Sequence, residues 1–173
     1  GILGMGHLGT ACGEVLGRFG FPVAGWSRSE KDIPGIESFS GEDGLFALLE
    51  RTDVLVCLLP LTPETEDILD ATTLGALPPG AALINAARGK HVVDDDLIDL
   101  LDSRHLSGAT LDVYREEPLP PHHPFWTHPK IVMYPHAAAW TLPESASPVI
   151  ADNIRRTRTG QQCIGQVDTR RGY

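Results

Sequence analysis

Three side chains of different chemistry each follow a short apolar run. Arg88 comes directly after Ile84-Asn85-Ala86-Ala87, Glu117 closes Leu111-Asp112-Val113-Tyr114-Arg115-Glu116-Glu117, and His136 follows Tyr134-Pro135. They are a permanent cation, a carboxylate and the one side chain that ordinarily titrates near neutral pH. Taken singly, each has a plain explanation: an Arg-Gly after a strand can be a turn, and a lone histidine is more often structural than catalytic. A fourth feature gives them a setting. Gly4-Met5-Gly6-His7-Leu8-Gly9 fits the pattern G-x-G-x-x-G between an apolar start and a helical pattern. There the first glycine allows a tight turn, the second lets backbone N–H groups approach a pyrophosphate, and the third permits close helix–strand packing. The helix N-terminus adds attraction for negative charge, so a dinucleotide is the expected ligand.

The residue after the second strand normally selects between NAD and NADP, because an Asp or Glu there accepts hydrogen bonds from the ribose 2′-OH and repels a 2′-phosphate. This chain instead reads Gly25-Trp26-Ser27-Arg28-Ser29, with no carboxylate before Glu30. A hydroxyl, a guanidinium and a second hydroxyl match a phosphate better than a bare diol. NADP(H) is therefore the expected cofactor, with NAD(H) the second choice. The plain alternative is a polar turn with Arg28 facing solvent.

Positioning these residues requires alternating strands and helices. Strands are expected at Gly1–Leu3, Pro22–Trp26, Asp53–Leu59, Ala81–Asn85, Ala109–Val113 and Ile131–Tyr134. Apolar residues on both faces of Asp53–Leu59 imply a strand covered from both sides. Leu8, Ala11, Cys12, Val15, Leu16 and Phe19 recur at helical spacing up to Gly20, and a second helix is expected over Glu42–Arg51. A third begins at Asp94-Asp95-Asp96, where carboxylates suit the helix dipole, and buries Leu97, Ile98, Leu100 and Leu101. The last spans about Pro143–Thr159, with a kink expected at Pro148. This alternation predicts the α/β class: a doubly wound, Rossmann-type parallel sheet. Ligands of such sheets bind outside the carboxyl ends of the strands, so Arg88, Glu117 and His136 should converge there with the glycine loop.

Composition narrows the alternatives. The 173 residues suffice for one well-buried domain and are too few for two ordinary ones. Fourteen basic against twenty-three acidic residues give a net charge of −9, the wrong sign for binding nucleic acid. Any anion must therefore be held by local positive charge. No apolar run approaches bilayer length, so no membrane partner is expected. Cys12 and Cys57 sit inside apolar patterns and Cys163 in the tail, which argues against a disulfide framework and for a cytoplasmic location. His122, His123 and His128 cluster in a Pro-rich loop without a cysteine or carboxylate at ligand spacing, and no metal site is expected. His91 and His105 read as surface residues flanking the Asp-started helix. The chain opens without Met inside its first strand, so further residues are expected upstream.

The ordered motifs GMGHLG, LLPLTPET, AARG, LDVYREEPLP and YPHAA closely resemble the D-isomer-specific 2-hydroxyacid dehydrogenases. Within that family, WSRS after the second strand and the ending GQVDTRRGY are similar to the branch that reduces glyoxylate and hydroxypyruvate. The resemblance implies an oxidoreductase moving a hydride between NADPH and a small 2-keto acid. It implies that Arg88 holds the substrate carboxylate and polarises the carbonyl, that His136 is the acid–base group, and that Glu117 is its partner. Cofactor contacts are implied for Gly4, Gly6, His7, Leu8 and Gly9, for Trp26, Ser27, Arg28 and Ser29, and for Leu59, Pro60 and Thr65. They are implied also for Ala86, Ala87, Arg88, Asp112, His136 and Ala138. Tyr134 stands where Thr is usual, and Trp140 follows the histidine where smaller residues are common, as though to narrow the mouth of the site.

The family's second domain would be largely missing here. Residues 1–150 are expected to form the dinucleotide-binding domain, with 151–173 a tail returning to the substrate domain. A homodimer is implied as well. The alternatives are another enzyme of the family, like phosphoglycerate or formate dehydrogenase, or a non-catalytic dinucleotide-sensing scaffold like the related corepressors.

Overall fold

In the computed structural model, residues 1–168 are described. They fall into two compact units, Gly1–His136 and a second that begins at Ala137. Residues 169–173 of the expected tail lie outside the described part.

The first unit is built on seven parallel strands: β1 (Ile2–Leu3), β2 (Ala24–Ser27), β3 (Glu37–Ser40), β4 (Val54–Cys57), β5 (Ala82–Asn85), β6 (Gly108–Leu111) and β7 (Ile131–Met133). Their spatial order is β3-β2-β1-β4-β5-β6-β7. The chain therefore starts in the middle, winds outward one way and then the other, which makes β1/β4 the topological switch point. Registry aligns the carboxyl ends: Leu3 pairs with Trp26 and Cys57, Cys57 with Asn85, Asn85 with Leu111, and Leu111 with Met133. The expected doubly wound class is the observed one.

Helices α1 (His7–Arg18), α2 (Gly41–Leu49), α3 (Ala71–Gly75) and α4 (Asp94–Asp102) belong to this unit. Leu45, Leu48 and Leu49 of α2 and Leu97 and Leu101 of α4 join Leu3, Leu55, Leu83 and Leu111 of the strands in one core. Asp94, Asp95 and Asp96 do occupy the first turn of α4. Two elements escaped the sequence reading. Strand β3, Glu37-Ser-Phe-Ser, has one apolar residue and lies at the sheet edge, so no apolar run marks it. Helix α3 is only five residues long, and its sign was the cap: the Asp70 carboxylate accepts from the Thr72 and Thr73 N–H groups at 3.0 and 2.9 Å.

The apolar stripe expected to bury α1 does not do so. Leu8, Val15 and Phe19 are 50%, 48% and 76% exposed. The helix instead packs through Gly9 and Gly13, its two buried residues, with Cys12 and Leu16 partly buried. A Cβ on Gly13 would stand 2.6 Å from Ile36, so close approach and not side-chain bulk decides this face. Val54, expected to be covered on both sides, is also exposed, because the amino end of β4 lies at the rim beside Gly1.

The second unit consists of the lead-in from Ala137, α5 (Pro143–Arg158) and the segment after it. Asn153 joins them, accepting from the Ile164 N–H at 2.7 Å and donating to the Ile164 carbonyl at 3.1 Å. Helix α5 runs through Pro148 and straddles the boundary at 150/151 drawn from the sequence. It has no buried residue. None of the helices of the described residues is long and apolar enough to cross a membrane.

Candidate active site

Backbone hydrogen bonds continue past the strand ends and hold the site's loops in one row. Gly4 N–H donates to Trp26 O, Leu58 N–H to Leu3 O, and Ala86 N–H to Cys57 O. Asp112 N–H donates to Asn85 O, Tyr134 N–H to Leu111 O, and His136 N–H to Asp112 O. The glycine loop, the Arg88 turn and the His136 segment thus lie along the carboxyl edge, the edge expected from the sequence.

At the switch point, Gly4 has φ +102, a conformation that favours glycine. A Cβ on Gly9 would lie 2.0 Å from the Gly4 carbonyl, so this glycine is required for helix–strand contact. A Cβ on Gly6 would meet nothing within 4 Å. That open space sits at the N-terminus of α1, whose first turn has no acidic residue and no side-chain cap. Such an end attracts an anion. Gly6, His7 and Leu8 are exposed there. The loop therefore fits the pyrophosphate of a dinucleotide.

Beside it, Ser27 ends β2 and its hydroxyl donates to the Ser29 carbonyl at 2.8 Å, closing the turn that presents Arg28. Arg28 is exposed, and its charge reaches across the edge. The Glu64 carboxyl is held below its ordinary value by the Thr62 hydroxyl and its own backbone, against slight desolvation, with Arg28 assisting. The Trp26 indole is otherwise committed: it packs against the core and donates to the Gly41 carbonyl at 2.8 Å. Leu59 is buried, and Thr65 fixes its loop by donating to Pro60 O at 2.7 Å.

Past β5, the buried Asn85 shapes the Arg88 turn. Its Oδ1 accepts from Ala87 N–H at 3.1 Å, and its Nδ2 donates to Arg88 O at 3.0 Å. Ala87 is buried, while Arg88 is exposed with Nη1 donating to Ala87 O at 2.6 Å. Gly89 is obligatory, since a Cβ there would overlap Tyr114 backbone at 1.8 Å. Asp112 is buried.

Glu117 bridges two groups: its Oε1 accepts from Tyr114 N–H at 3.0 Å, and its Oε2 lies 2.9 Å from His136 Nδ1. A carboxylate can only accept, so Nδ1 carries the proton and Nε2 is left for other chemistry. Partial burial works to raise the Glu117 carboxyl. The hydrogen bonds from His136 and Tyr114, with the charges of His136 and Arg88, outweigh it and hold the group below the ordinary carboxylate value. His136 takes φ +55, left-handed backbone that a non-glycine residue enters at some cost. Against the pair lies a hollow of about 360 Å³, lined by Tyr114, Leu119, Trp126, Met133 and Tyr134 among others.

Two residues central to this edge were misjudged or missed. His91, read as a surface residue, is fully buried. Asn85 drew no notice, and its only sign was an amide ending an apolar strand. His105, also read as surface, is half-buried with its Nε2 unpartnered. The loop histidines find local partners: His123 lies 3.4 Å from Asp94 and His128 3.3 Å from Asp102. Among the described residues no group of three His, Cys, Asp or Glu could hold a metal ion. Ala138 and the exposed Trp140 belong to the second unit.

Residues 1–138 match the model of the D-isomer specific 2-hydroxyacid dehydrogenase NAD binding domain. The chain belongs to that family. It is 49% identical over its whole length to glyoxylate/hydroxypyruvate reductase A of Serratia proteamaculans (strain 568), covering 55% of that protein. It is similar to a D-isomer specific 2-hydroxyacid dehydrogenase from Xanthobacter autotrophicus Py2, solved in complex with NADPH and MES. That likeness has a TM-score of 0.96 and 44% identity, over 99% of this chain and 71% of the other. A third relative is the NADPH-dependent glyoxylate/hydroxypyruvate reductase of Sinorhizobium meliloti, solved with NADP and sulfate. Its TM-score is 0.94 at 40% identity, over 99% of this chain and 56% of the other. The chain spans about half the length of the curated relative it matches.

Proposed function

We propose that the full-length protein reduces small 2-keto acids, glyoxylate and hydroxypyruvate, to D-2-hydroxy acids, with NADPH as preferred cofactor and NADH second. The observation that carries this reading is the Glu117–His136 pair at 2.9 Å, on the edge shared with the Arg88 turn and the glycine loop. The names of the Serratia and Sinorhizobium relatives support the substrate class.

When bound, the cofactor supplies a hydride to the substrate carbonyl carbon. Arg88 binds the carboxylate with a guanidinium that stays charged throughout and meets the negative charge building on oxygen. His136 delivers the proton from Nε2 while Glu117 holds its Nδ1–H and favours the imidazolium. In the oxidative direction neutral Nε2 takes the hydroxyl proton. Backbone N–H groups at Gly6, His7 and Leu8 receive the pyrophosphate. The Ser27–Ser29 turn presents Arg28 to the 2′-phosphate, with Leu59, Pro60, Thr65, Ala86, Ala87 and Asp112 along the rest of the cofactor.

A homodimer and a cytoplasmic location complete the reading. The exposed apolar face of α1 supports association, since such a face in water invites cover, and three free thiols suit a reducing compartment. The tail beyond α5 is expected to return to the substrate domain. The test is NADPH oxidation by the full-length protein with glyoxylate. Turnover confined to a phosphorylated keto acid or to formate, or NADPH binding without turnover, overturns the reading.

A further inference from the structure

His91 has no solvent exposure and follows Arg88 in the short 3-10 turn Gly89–His91. Its ring lies between two loops of the carboxyl edge. Arg88 N–H donates to Nδ1 at 3.3 Å, and the Pro60 carbonyl is 3.3 Å from Nε2. A carbonyl only accepts, so Nε2 carries the proton, and Nδ1 is then the acceptor that Arg88 N–H needs. The opposite tautomer fails at both ends: it sets a lone pair against Pro60 O and removes the acceptor from Arg88 N–H.

The Arg88 carbonyl, 3.0 Å from Nδ1, has no need of the ring as donor. It already accepts from His91 N–H at 3.2 Å and from Asn85 Nδ2 at 3.0 Å. Burial disfavours a doubly protonated ring and holds the imidazole below its ordinary value. The carbonyls of Pro60 and Arg88 oppose that shift, and the Arg88 charge reinforces it.

We propose that His91 is a positioning residue which, as the neutral Nε2–H tautomer, ties the Arg88 turn behind β5 to the Pro60 loop behind β4. Both loops are independently stiffened, by Asn85 on one side and by Thr65, which also donates to Pro60 O, on the other. The ring sets the spacing between them. It therefore fixes the Arg88 guanidinium relative to the cofactor loop. The inference rests on reading Arg88 as the carboxylate-binding residue and Pro60 as lining the cofactor.

Three variants of the full-length protein separate the two contacts. His91→Leu removes both, His91→Asn keeps an acceptor near Nδ1, and His91→Gln keeps a donor near Nε2. Each lost contact is a hydrogen bond, an effect of about tenfold. His91→Leu should raise the 2-keto acid KM and the NADPH Kd, read by fluorescence, each about tenfold. His91→Asn should restore the keto-acid KM alone, and His91→Gln the NADPH Kd alone.

In the unmodified protein, ¹⁵N spectra of the histidine side chains should show one ring in the Nε2–H form that persists below the usual histidine titration range. A charged or Nδ1–H ring at His91 overturns the proposal. So do unchanged constants in His91→Leu, or equal losses in all three variants. Absence of keto-acid turnover in the unmodified protein counts against the proposed function instead, and leaves the tautomer and the NADPH Kd to decide the role of His91.

Discussion

The two halves of the sheet prepare for ligands with different parts of the chain. On the side of β1 to β3 the work falls to the backbone: Gly4 turns the chain, Gly9 lets α1 touch Gly4, and Gly6 leaves space at a helix end. From β4 to β7 side chains take over, with Asn85, Arg88 and His91 in one set of hydrogen bonds and Glu117 and His136 in another. The cofactor half depends on what is missing from side chains, and the chemical half on what is present. Substitutions should therefore fail differently in the two halves.

The largest effect is expected in the chemical half. His136→Ala should lower the reduction rate by about 10² to 10⁴, the usual contribution of a general acid–base group, and Arg88→Ala should cripple it similarly. Both side chains are exposed, so thermal melts should stay close to those of the unmodified protein. An unchanged rate in His136→Ala removes it from the mechanism. Gly9→Ala should do the reverse. Its methyl group would press on the Gly4 carbonyl, so the variant should lose about 1–3 kcal/mol of stability and weaken NADPH binding. A Gly9→Ala protein with native melting and native NADPH affinity would break the contrast between the halves.

A smaller effect is expected at Arg28, where a side chain intrudes into the backbone-built half. A charge-assisted pair with a 2′-phosphate contributes about 1.5–3 kcal/mol, roughly ten- to a hundredfold in affinity. Arg28→Ala should lose most of the preference for NADPH while kinetics with NADH barely change. Ser27→Asp should go further toward NADH, since it adds the carboxylate that accepts from a ribose diol and repels phosphate. Equal efficiency with both cofactors in the unmodified enzyme removes the basis of this prediction.

The contrast also explains which parts of the site are legible in the sequence. The glycine loop was legible because Gly4 and Gly9 answer local steric demands and Gly6 leaves open space, and a pattern of absent side chains survives in sequence. Arg88, Glu117 and His136 were legible because each follows an apolar run, and parallel strands bring such positions to one edge. His91 was not. Two residues past Gly89 it looks like a polar loop residue, and the partner that buries its Nε2 side, the Pro60 carbonyl, lies 31 positions away in sequence. The stripe on α1 misled for a related reason. Periodicity records the spacing of apolar residues, whereas Gly9 and Gly13 set the contact made within this unit.

The mildest change is expected at Glu117, where the sign of the pH effect separates a charge partner from a mere spacer. Its carboxyl lies below the ordinary carboxylate value, so the ionised pair is present above the unfolded value and is lost only as pH falls through the lower, folded one. Near neutrality the carboxylate is therefore ionised and favours a protonated His136. Reduction needs a protonated ring and oxidation a neutral one. Glu117→Gln has one oxygen in place of two: turned toward His136 it still accepts Nδ1–H, while the amide nitrogen faces Tyr114 N–H and the negative charge is gone. The alkaline limb of kcat/KM for reduction should then move toward lower pH, with only a modest fall at the optimum, because the ring keeps its orientation. The acid limb of oxidation, which needs the neutral ring, should move in the same direction. A Glu117→Gln profile superimposable on that of the unmodified enzyme would show that Glu117 orients His136 without tuning its charge.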